Sequence, residues 1–273
     1  MGTIDRTRVR MSFDRQAVFY EETVVVQKRV REIILRQLRE SEHSEAPRRI
    51  LDVGAGTGEL LRAVRNLYPG AFLAGVDLAP AMGRTAKGTL RGRGGALLVE
   101  GDAERLPFAD CSVDLVLSTS TYQWLNTLEK AFSEALRVLS PGGMFRFALF
   151  GGDTLRELRE SYRRALKAPA VQERDRTHHF FSLQDVESAL TTVGFSSCRV
   201  ESCFEREFHP DVSSLLRSLR RIGAGNASPI SDRRGLAGRT VMMEMMELYR
   251  REYGCSFGIP ATYEVIYGKG RKT

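Results

Sequence analysis

The chain has 273 residues and a formal net charge of +7, with 42% hydrophobic and 27% charged residues. The length suffices for one large core with a smaller appended part, and the composition is that of an ordinary globular protein. Because no apolar run is long enough to span a bilayer and residues 1–16 are charged, we expect neither a membrane span nor a secretory signal. The four cysteines and four histidines lack the spacing of a zinc site, which predicts reduced thiols, a cytoplasmic protein and no bound metal.

The excess of positive charge predicts attraction to an acidic partner. Nucleic acid is one such partner, but the sequence contains no recognisable nucleic-acid-binding module. An acidic carrier protein is another, and a basic surface that only confers solubility is a third interpretation. Charge alone does not choose among these.

A strand, a glycine-rich turn and a helix follow one another in residues 50–67. The apolar residues 50–53 predict a buried parallel strand, and the glycines of 54–58 allow a sharp turn close to a ligand. The third glycine comes one residue earlier than in the dinucleotide fingerprint, and Glu59 at the helix start would repel a pyrophosphate. The turn therefore predicts a nucleoside-like ligand without phosphates, and its D-x-G-x-G-x-G pattern resembles the first motif of class I S-adenosylmethionine-dependent methyltransferases.

The next two strands also end in acidic residues. Asp77 lies near the end of the predicted strand 72–78 and 19 residues beyond Gly58, close to the spacing of a ribose-binding carboxylate. The alternative is that Asp77 only caps the helix that follows it. Asp102 follows strand 97–101, and the resemblance implies that Asp102 and the Ala103 N–H hold the adenine; the alternative is a plain polar loop.

Five strand–helix units in a row predict an α/β fold with a doubly wound, mostly parallel, Rossmann-like sheet. Strand-like segments at 198–207 and 262–268 add an antiparallel pair, which gives seven strands in all. We expect a single domain over residues 1–273, with an N-terminal helical lid at 1–45 and the core at 46–208 and 258–273. Residues 209–257 form a helical cap insertion that is basic, because it carries eight arginines against four acids between Pro210 and Arg251.

Motifs outside the core make the resemblance narrower. They lie at 13–15, Tyr20, Gln27, 121–124, 152–158, 179–181, 215–224, 236–239 and 260–268. Together with the core motifs they resemble the malonyl-acyl-carrier-protein O-methyltransferases of biotin synthesis over nearly the whole chain.

This resemblance implies a reaction that needs no general base. A methyl group would pass from S-adenosylmethionine to the free carboxylate of malonyl-acyl-carrier protein, and that carboxylate is already ionised at neutral pH. The neutral methyl ester would then prime pimeloyl and biotin synthesis. The implied partner is an acidic carrier protein, with malonyl-coenzyme A as an open possibility and with no nucleic acid, membrane or metal.

The resemblance assigns candidate residues to three roles. The cofactor-binding candidates are Asp52, Gly54, Ala55, Gly56, Gly58, Asp77, Leu78, Asp102, Ala103 and Ser118. The catalytic candidates are Tyr20, Tyr122 and Gln123, and the candidates for binding the substrate or its carrier are Arg15, Arg146, Arg217, Arg220, Arg221 and Arg239. The tyrosines could equally be core aromatics, and the arginines could be surface ion-pair partners.

Two other functions stay open on the sequence. One is a methyltransferase acting on a small molecule or a quinone ring, which would require a base for a carbon or phenol proton. The other is an assembly factor or a protein-arginine hydroxylase that binds S-adenosylmethionine on a similar scaffold without transferring methyl groups.

Overall fold

The computed structural model describes residues 4–40, 46–92, 94–167, 178–224 and 236–273, with the backbone alone at 236 and 237. In these residues the helices are α1 (Arg6–Gln16), α2 (Tyr20–Thr23), α3 (Val26–Arg39), α4 (Glu59–Leu67), α5 (Pro80–Thr89), α6 (Glu129–Val138), α7 (Arg156–Leu166), α8 (Leu183–Val193), α9 (Val212–Arg221) and α10 (Leu236–Tyr253). The strands are β1 (Arg49–Val53), β2 (Phe72–Asp77), β3 (Leu97–Glu100), β4 (Val113–Thr119), β5 (Leu139–Phe150), β6 (Ser196–His209) and β7 (Ile259–Arg271), and a short 3-10 helix spans Tyr122–Trp124.

The strands form one seven-stranded sheet in the order β3-β2-β1-β4-β5-β7-β6. Strands β1 to β5 pair in parallel, whereas β7 runs antiparallel to both β5 and β6. The predicted doubly wound, mostly parallel seven-stranded sheet is therefore confirmed. Because the strand order reverses between β1 and β4, a crevice opens outside their carboxyl ends, where such sheets bind ligands.

Helices cover both faces of this sheet, as the apolar runs of its strands require. On one face, Ile34 of α3, Leu61 of α4 and Leu158 of α7 are fully buried. On the other, Phe132 of α6 and Leu190 of α8 are fully buried against the sheet. Each side chain of this kind contributes about 1.5–3 kcal/mol by burial, so the sheet is held rigidly beneath the crevice.

Strand β5 contains the Pro-Gly-Gly sequence of residues 141–143. Val113 of β4 pairs with Leu139, and the register then shifts so that Leu115 pairs with Met144. Gly142 takes a positive φ of 77° in this stretch. The Pro-Gly-Gly sequence therefore makes an irregularity inside the strand.

The N-terminal segment and the insertion both reach the edge at which the parallel strands end. Asp14 of α1 accepts a hydrogen bond of 2.7 Å from the N–H of Ala81 at the start of α5. Ser12 of the same helix donates to the carbonyl of Gly223, just after α9, at 2.8 Å. Helix α1 thus joins the parallel core to the insertion across the crevice.

Candidate functional site

Three adjoining cavities lie at the carboxyl ends of the parallel strands. The strand-end cavity, of about 740 Å³, is lined by Asp77, Leu78, Gly101 and Ala103 among others. The turn cavity, of about 350 Å³, surrounds the residues of the glycine-rich turn. The aromatic chamber, of about 430 Å³, is bounded by the rings of Phe13, Tyr20, Trp124, Phe150, Phe180 and Tyr263. Tyr20 and Ser120 line all three, so the cavities meet between these two residues.

The glycine-rich turn exposes backbone to two of these cavities. Gly54 has φ +75°, and a Cβ on it would lie 2.0 Å from Oγ1 of Thr121. The next glycine, Gly56, donates its N–H to Oδ2 of Asp77 at 2.8 Å. Both glycines line the strand-end cavity and the turn cavity. A side chain at position 54 would therefore clash with Thr121, and the glycines leave the backbone of the turn open to both cavities, as binding of a nucleoside-like ligand requires.

Asp77 is both a structural and a cavity-lining residue. Its Oδ1 accepts a hydrogen bond of 2.8 Å from the N–H of Ala79, which begins the turn into α5. The carboxylate also faces the strand-end cavity. Burial raises its pKa, against the opposing effect of the backbone hydrogen bonds from Ala79 and Gly56. Each carboxylate oxygen can accept more than one hydrogen bond, so both could still accept from ligand hydroxyls.

Asp102 and Ala103, the predicted adenine-binding residues, differ in their relation to the strand-end cavity. Ala103 lines the cavity, but Asp102 is not among its lining residues. Instead, the guanidinium of Arg6 from α1 binds the carboxylates of both Asp102 and Glu104. Arg6 itself lines the cavity. The sequence prediction missed Arg6, because nothing in the local pattern of α1 indicates which distant carboxylates it meets.

The turn cavity holds an unpartnered acid beside a cation. Asp52 is 1% exposed, and among the described residues its Oδ1 has no hydrogen-bond partner. Burial and the negative charge of Asp77 raise the pKa of Asp52 to about 8. Arg31 of α3 lines the same cavity and donates to both carboxylate oxygens of Glu21, at 3.1 and 2.9 Å. An acidic acceptor beside a guanidinium suits a ligand group that carries both an ammonium and a carboxylate.

Uncharged polar groups line the aromatic chamber. Gln123 is 1% exposed, and its Nε2 donates to the carbonyl of Ser120 at 2.7 Å. Ser120 holds a positive φ of 56°, which is strained for a residue with a side chain and is typical of a functional turn. Burial and the charge of Glu21 raise the pKa of Tyr20, so its phenol stays protonated at neutral pH. Gln27, one of the motif positions outside the core, also lines this chamber.

Three predicted cofactor or catalytic residues make structural contacts. The ring of Tyr122 is fully buried among Phe132, Phe145 and Phe147, with ring centroids 5.4 to 6.0 Å apart. Ser118 donates to the carbonyl of Val53 at 2.7 Å and joins β4 to β1. Gly58 starts α4 with φ +80°, where a Cβ would lie 3.0 Å from the Cβ of Ala86. None of the three lines a cavity described above, and their assignment to the site stays a prediction.

Two predicted substrate-binding arginines lie outside the three cavities, and their role stays a prediction. Arg146 lies in a separate groove with Gln37, Glu40 and Tyr267, and its Nε contacts the sulfur of Met144 at 3.2 Å. Arg15 is exposed on α1 and lines none of the three cavities. Spacing in the sequence did not reveal which way either side chain points.

The other predicted arginines lie on the surface of the insertion. Arg217, Arg220 and Arg221 are exposed on α9, and Arg239 is exposed on α10. Arg217 makes one local hydrogen bond, of 2.8 Å, to Oγ of Ser214. Arg233 and Arg234, which contributed to the predicted basic character of the insertion, lie outside the described residues.

Neither a membrane span nor a metal cluster is found in the part of the chain that the structure describes. No helix there combines the length and apolar character needed to cross a bilayer. The same residues contain no group of three or more histidines, cysteines or acids placed to hold a metal ion. All four cysteines fall within the described ranges and are free thiols.

Comparison with known proteins identifies close relatives over the full length of the chain. Residues 51–147 match the family model described as a methyltransferase domain. A malonyl-acyl-carrier-protein O-methyltransferase of Geobacter sulfurreducens is 51% identical over 269 residues, covering 98% of this chain and 100% of the relative. One from Methylovorus is 36% identical over 279 residues, covering 98% of this chain and 90% of the relative.

Solved structures share the fold at lower identity. Phosphoethanolamine N-methyltransferase 2 of Haemonchus contortus, in complex with S-adenosyl-L-methionine, matches with a TM-score of 0.55 and 20% identity, over 89% of this chain and 53% of that one. The cyclase SpnF matches with a TM-score of 0.52 and 21% identity, over 88% and 80% of the two chains. Since a cyclase shares this fold, the fold alone does not determine the reaction.

Proposed function

The chain belongs to the malonyl-acyl-carrier-protein O-methyltransferases, and we propose that it transfers a methyl group from S-adenosyl-L-methionine to the free carboxylate of malonyl-acyl-carrier protein. One structural observation carries this proposal. Three cavities meet at Tyr20 and Ser120. This number matches the three substituents on the sulfonium sulfur of S-adenosylmethionine, one of which is the methyl group. The adenosyl group fits the strand-end cavity, the amino-acid end fits the turn cavity, and the methyl group would face the aromatic chamber.

The residues of the first two cavities fit S-adenosylmethionine. Asp77 would accept hydrogen bonds from the ribose hydroxyls, while Leu78 and Ala103 would border the adenine. In the turn cavity, Asp52 offers an unpartnered acceptor for the ammonium of the methionine part, and Arg31 offers a guanidinium for its carboxylate. The ligand has no phosphate, so the acidic residues at this end of the sheet would not repel it.

The chemistry needs positioning rather than acid or base catalysis. When bound, S-adenosylmethionine supplies a methyl group, whose new bond to a carboxylate oxygen forms as its bond to sulfur breaks and leaves the electron pair on sulfur. Phe13 and Trp124, whose ring centroids lie 5.7 Å apart, border both the chamber and the strand-end cavity and exclude water from the meeting point. Excluding water strengthens the attraction between an anion and a cation, and alignment of the two lowers the barrier further.

The exposed arginines of α9 suggest how a carrier protein would approach. Carrier proteins of this type are acidic, and we propose that Arg217, Arg220 and Arg221 attract the carrier electrostatically. The malonyl group would then enter the chamber, which Leu219 of the same helix helps to line. The free thiols are compatible with action in the cytoplasm, which we propose as the place of the reaction.

The test is methyl transfer with defined acceptors. Purified protein is incubated with methyl-labelled S-adenosylmethionine and malonyl-acyl-carrier protein, and we expect label on the carrier that mild base releases as methanol. Acetyl-acyl-carrier protein, which lacks the free carboxylate, is the control and should stay unlabelled. Absence of label on the malonyl carrier would refute the proposal, and label on a quinol precursor instead would identify the rival ring methyltransferase.

A further inference from the structure

The described lining of the aromatic chamber offers uncharged donors to an anionic substrate. Its lining residues within the described ranges include no lysine, arginine or histidine. An ionised carboxylate accepts hydrogen bonds but cannot donate them. Among these residues, the groups able to hold it are the uncharged N–H and O–H donors of the chamber wall.

Most of those donors are already used. Gln123 donates to the carbonyl of Ser120, and Oγ1 of Thr154 donates to the carbonyl of Glu264 at 3.1 Å. Tyr263 is hydrogen-bonded to Glu207. The indole N–H of Trp124 has no partner in the described residues, but it is closed off from the open space of the chamber. Apart from the second N–H of Gln123, the donors left are on Tyr20, Ser120 and Gln27.

These same residues lie where the chamber opens onto the turn cavity. Tyr20, Gln27 and Ser120 are the residues that line both spaces. Gln27 lies in the first turn of α3 and is 9% exposed. Among the described residues, no hydrogen bond to its side-chain amide is found. A primary amide offers two N–H donors, so the position suits a ligand acceptor.

We infer that Gln27 is a positioning residue for the substrate, whose side-chain N–H group donates to the malonyl carboxylate beside the hydroxyl of Tyr20. The inference rests on the proposed function and names a residue for its acceptor site. Binding the carboxylate with uncharged donors has a chemical advantage over binding it with an arginine. It fixes the orientation of the carboxylate but leaves its negative charge available to attack the methyl group.

Gln27→Leu tests this assignment, because leucine keeps most of the volume and removes both donors. We expect the KM for malonyl-acyl-carrier protein to rise about tenfold or more, the loss expected for a hydrogen bond to a charged group. The Kd for S-adenosylhomocysteine, measured by calorimetry, should change less than about twofold, because uncharged Gln27 makes no ion pair there. Gln37→Leu is the matched control, since it makes the same change ten residues further along α3, outside the chamber.

Binding provides a readout that does not depend on turnover. With S-adenosylhomocysteine bound, calorimetry should show malonyl-pantetheine binding to Gln37→Leu as to the unchanged protein, and about tenfold more weakly to Gln27→Leu. Gln27→Glu, which has nearly the same shape, should weaken it further, because two carboxylates would then face each other. A thermal unfolding midpoint close to that of the unchanged protein would show that both variants are folded.

Two results would overturn the inference. One is an unchanged KM and an unchanged Kd for malonyl-pantetheine in both Gln27 variants. The other is a rise confined to the Kd for S-adenosylhomocysteine, which would assign Gln27 to the turn cavity. If the unchanged protein methylates the malonyl carrier, either result refutes only the role of Gln27. If the unchanged protein does not methylate the malonyl carrier, the proposed function itself is refuted.

Discussion

The carboxylate of Asp77 and the N–H of Gly56 are joined by a hydrogen bond of 2.8 Å that links the end of β2 to the turn after β1. The bond holds the turn open between two cavities. Asp77 also accepts from the N–H of Ala79 at the start of α5 and lines the strand-end cavity. The helix-capping contact that the sequence offered as an alternative is therefore compatible with the proposed binding of the ribose.

Asp77→Ala should weaken binding of S-adenosylmethionine by at least about 1.5 kcal/mol, or more than tenfold in Kd, the low end for a hydrogen bond to a charged group. The variant loses both the ribose acceptors and the tie to the turn. Isothermal titration calorimetry measures the change. Asp77→Asn is a second variant for the same measurement. It keeps the volume of the side chain but replaces one acceptor oxygen with an N–H₂ group, which cannot accept a hydrogen bond from a backbone N–H. An affinity equal to that of the unchanged protein would remove Asp77 from the site.

Arg6 connects α1 to the carboxylates of Asp102 and Glu104 at the mouth of the strand-end cavity. Arg6→Ala should loosen α1 over the bound adenosyl group. Because these side chains are partly exposed, we expect a modest loss of about 1 kcal/mol, or roughly fivefold in Kd for S-adenosylmethionine.

Arg10→Ala is the control for this prediction. Arg10 lies on the same helix and pairs with Glu100 at 2.9 Å, but it does not line the cavity. Calorimetry should show an affinity close to that of the unchanged protein. Equal affinities for the Arg6 and Arg10 variants would mean that α1 does not help to retain the ligand.

The sequence predicted the parts of the site that local chemistry dictates. Gly54 lies where the turn has no room for a Cβ, Gly56 has a positive φ of 53°, and Asp77 ends a buried strand. These residues lie close together in the chain, between strand β1 and the end of strand β2, so short-range spacing is enough to identify them. The sheet was predictable for the same reason, because its strand–helix units follow one another along the chain.

Side-chain direction and long-range pairing were not predictable in this way. Tyr122 and Gln123 are neighbours, yet one packs in the core and the other lines the chamber. Arg6 and Arg31 reach the site from helices that precede the sheet in the chain. Their roles depend on how those helices cross the strand ends, which is a property of tertiary packing rather than of sequence spacing.

The exposed arginines of α9 predict a salt-dependent interaction with the carrier. Changing Arg217, Arg220 and Arg221 together to Glu should raise the KM for malonyl-acyl-carrier protein by about tenfold or more at low ionic strength, and the difference should shrink as salt is added. Steady-state kinetics with malonyl-pantetheine should be nearly unchanged, because that substrate has no acidic protein surface. An equal loss with both substrates would indicate damage to the chamber instead of lost carrier binding.

Asp52 predicts a pH dependence of stability. Burial and the charge of Asp77 raise its pKa from 3.8 to about 8. The folded state therefore binds a proton that the unfolded state has released between these values, and stability falls as pH rises through that range. The contribution of Asp52 is fully present below about pH 4 and is lost as the pH passes about 8.

Asp52→Asn keeps a neutral side chain at every pH and should remove this loss. We expect the free energy of unfolding of the variant, relative to the unchanged protein, to increase from pH 5 to pH 8 in urea titrations. Asp114→Asn is the control: burial pushes the pKa of Asp114 up, but hydrogen bonds from Arg49 and Arg48 bring it below its ordinary value. Asp114 is thus ionised throughout this range, and its variant should differ from the unchanged protein by a constant amount. A constant difference for Asp52→Asn as well would show that the Asp52 carboxyl is already ionised at pH 5.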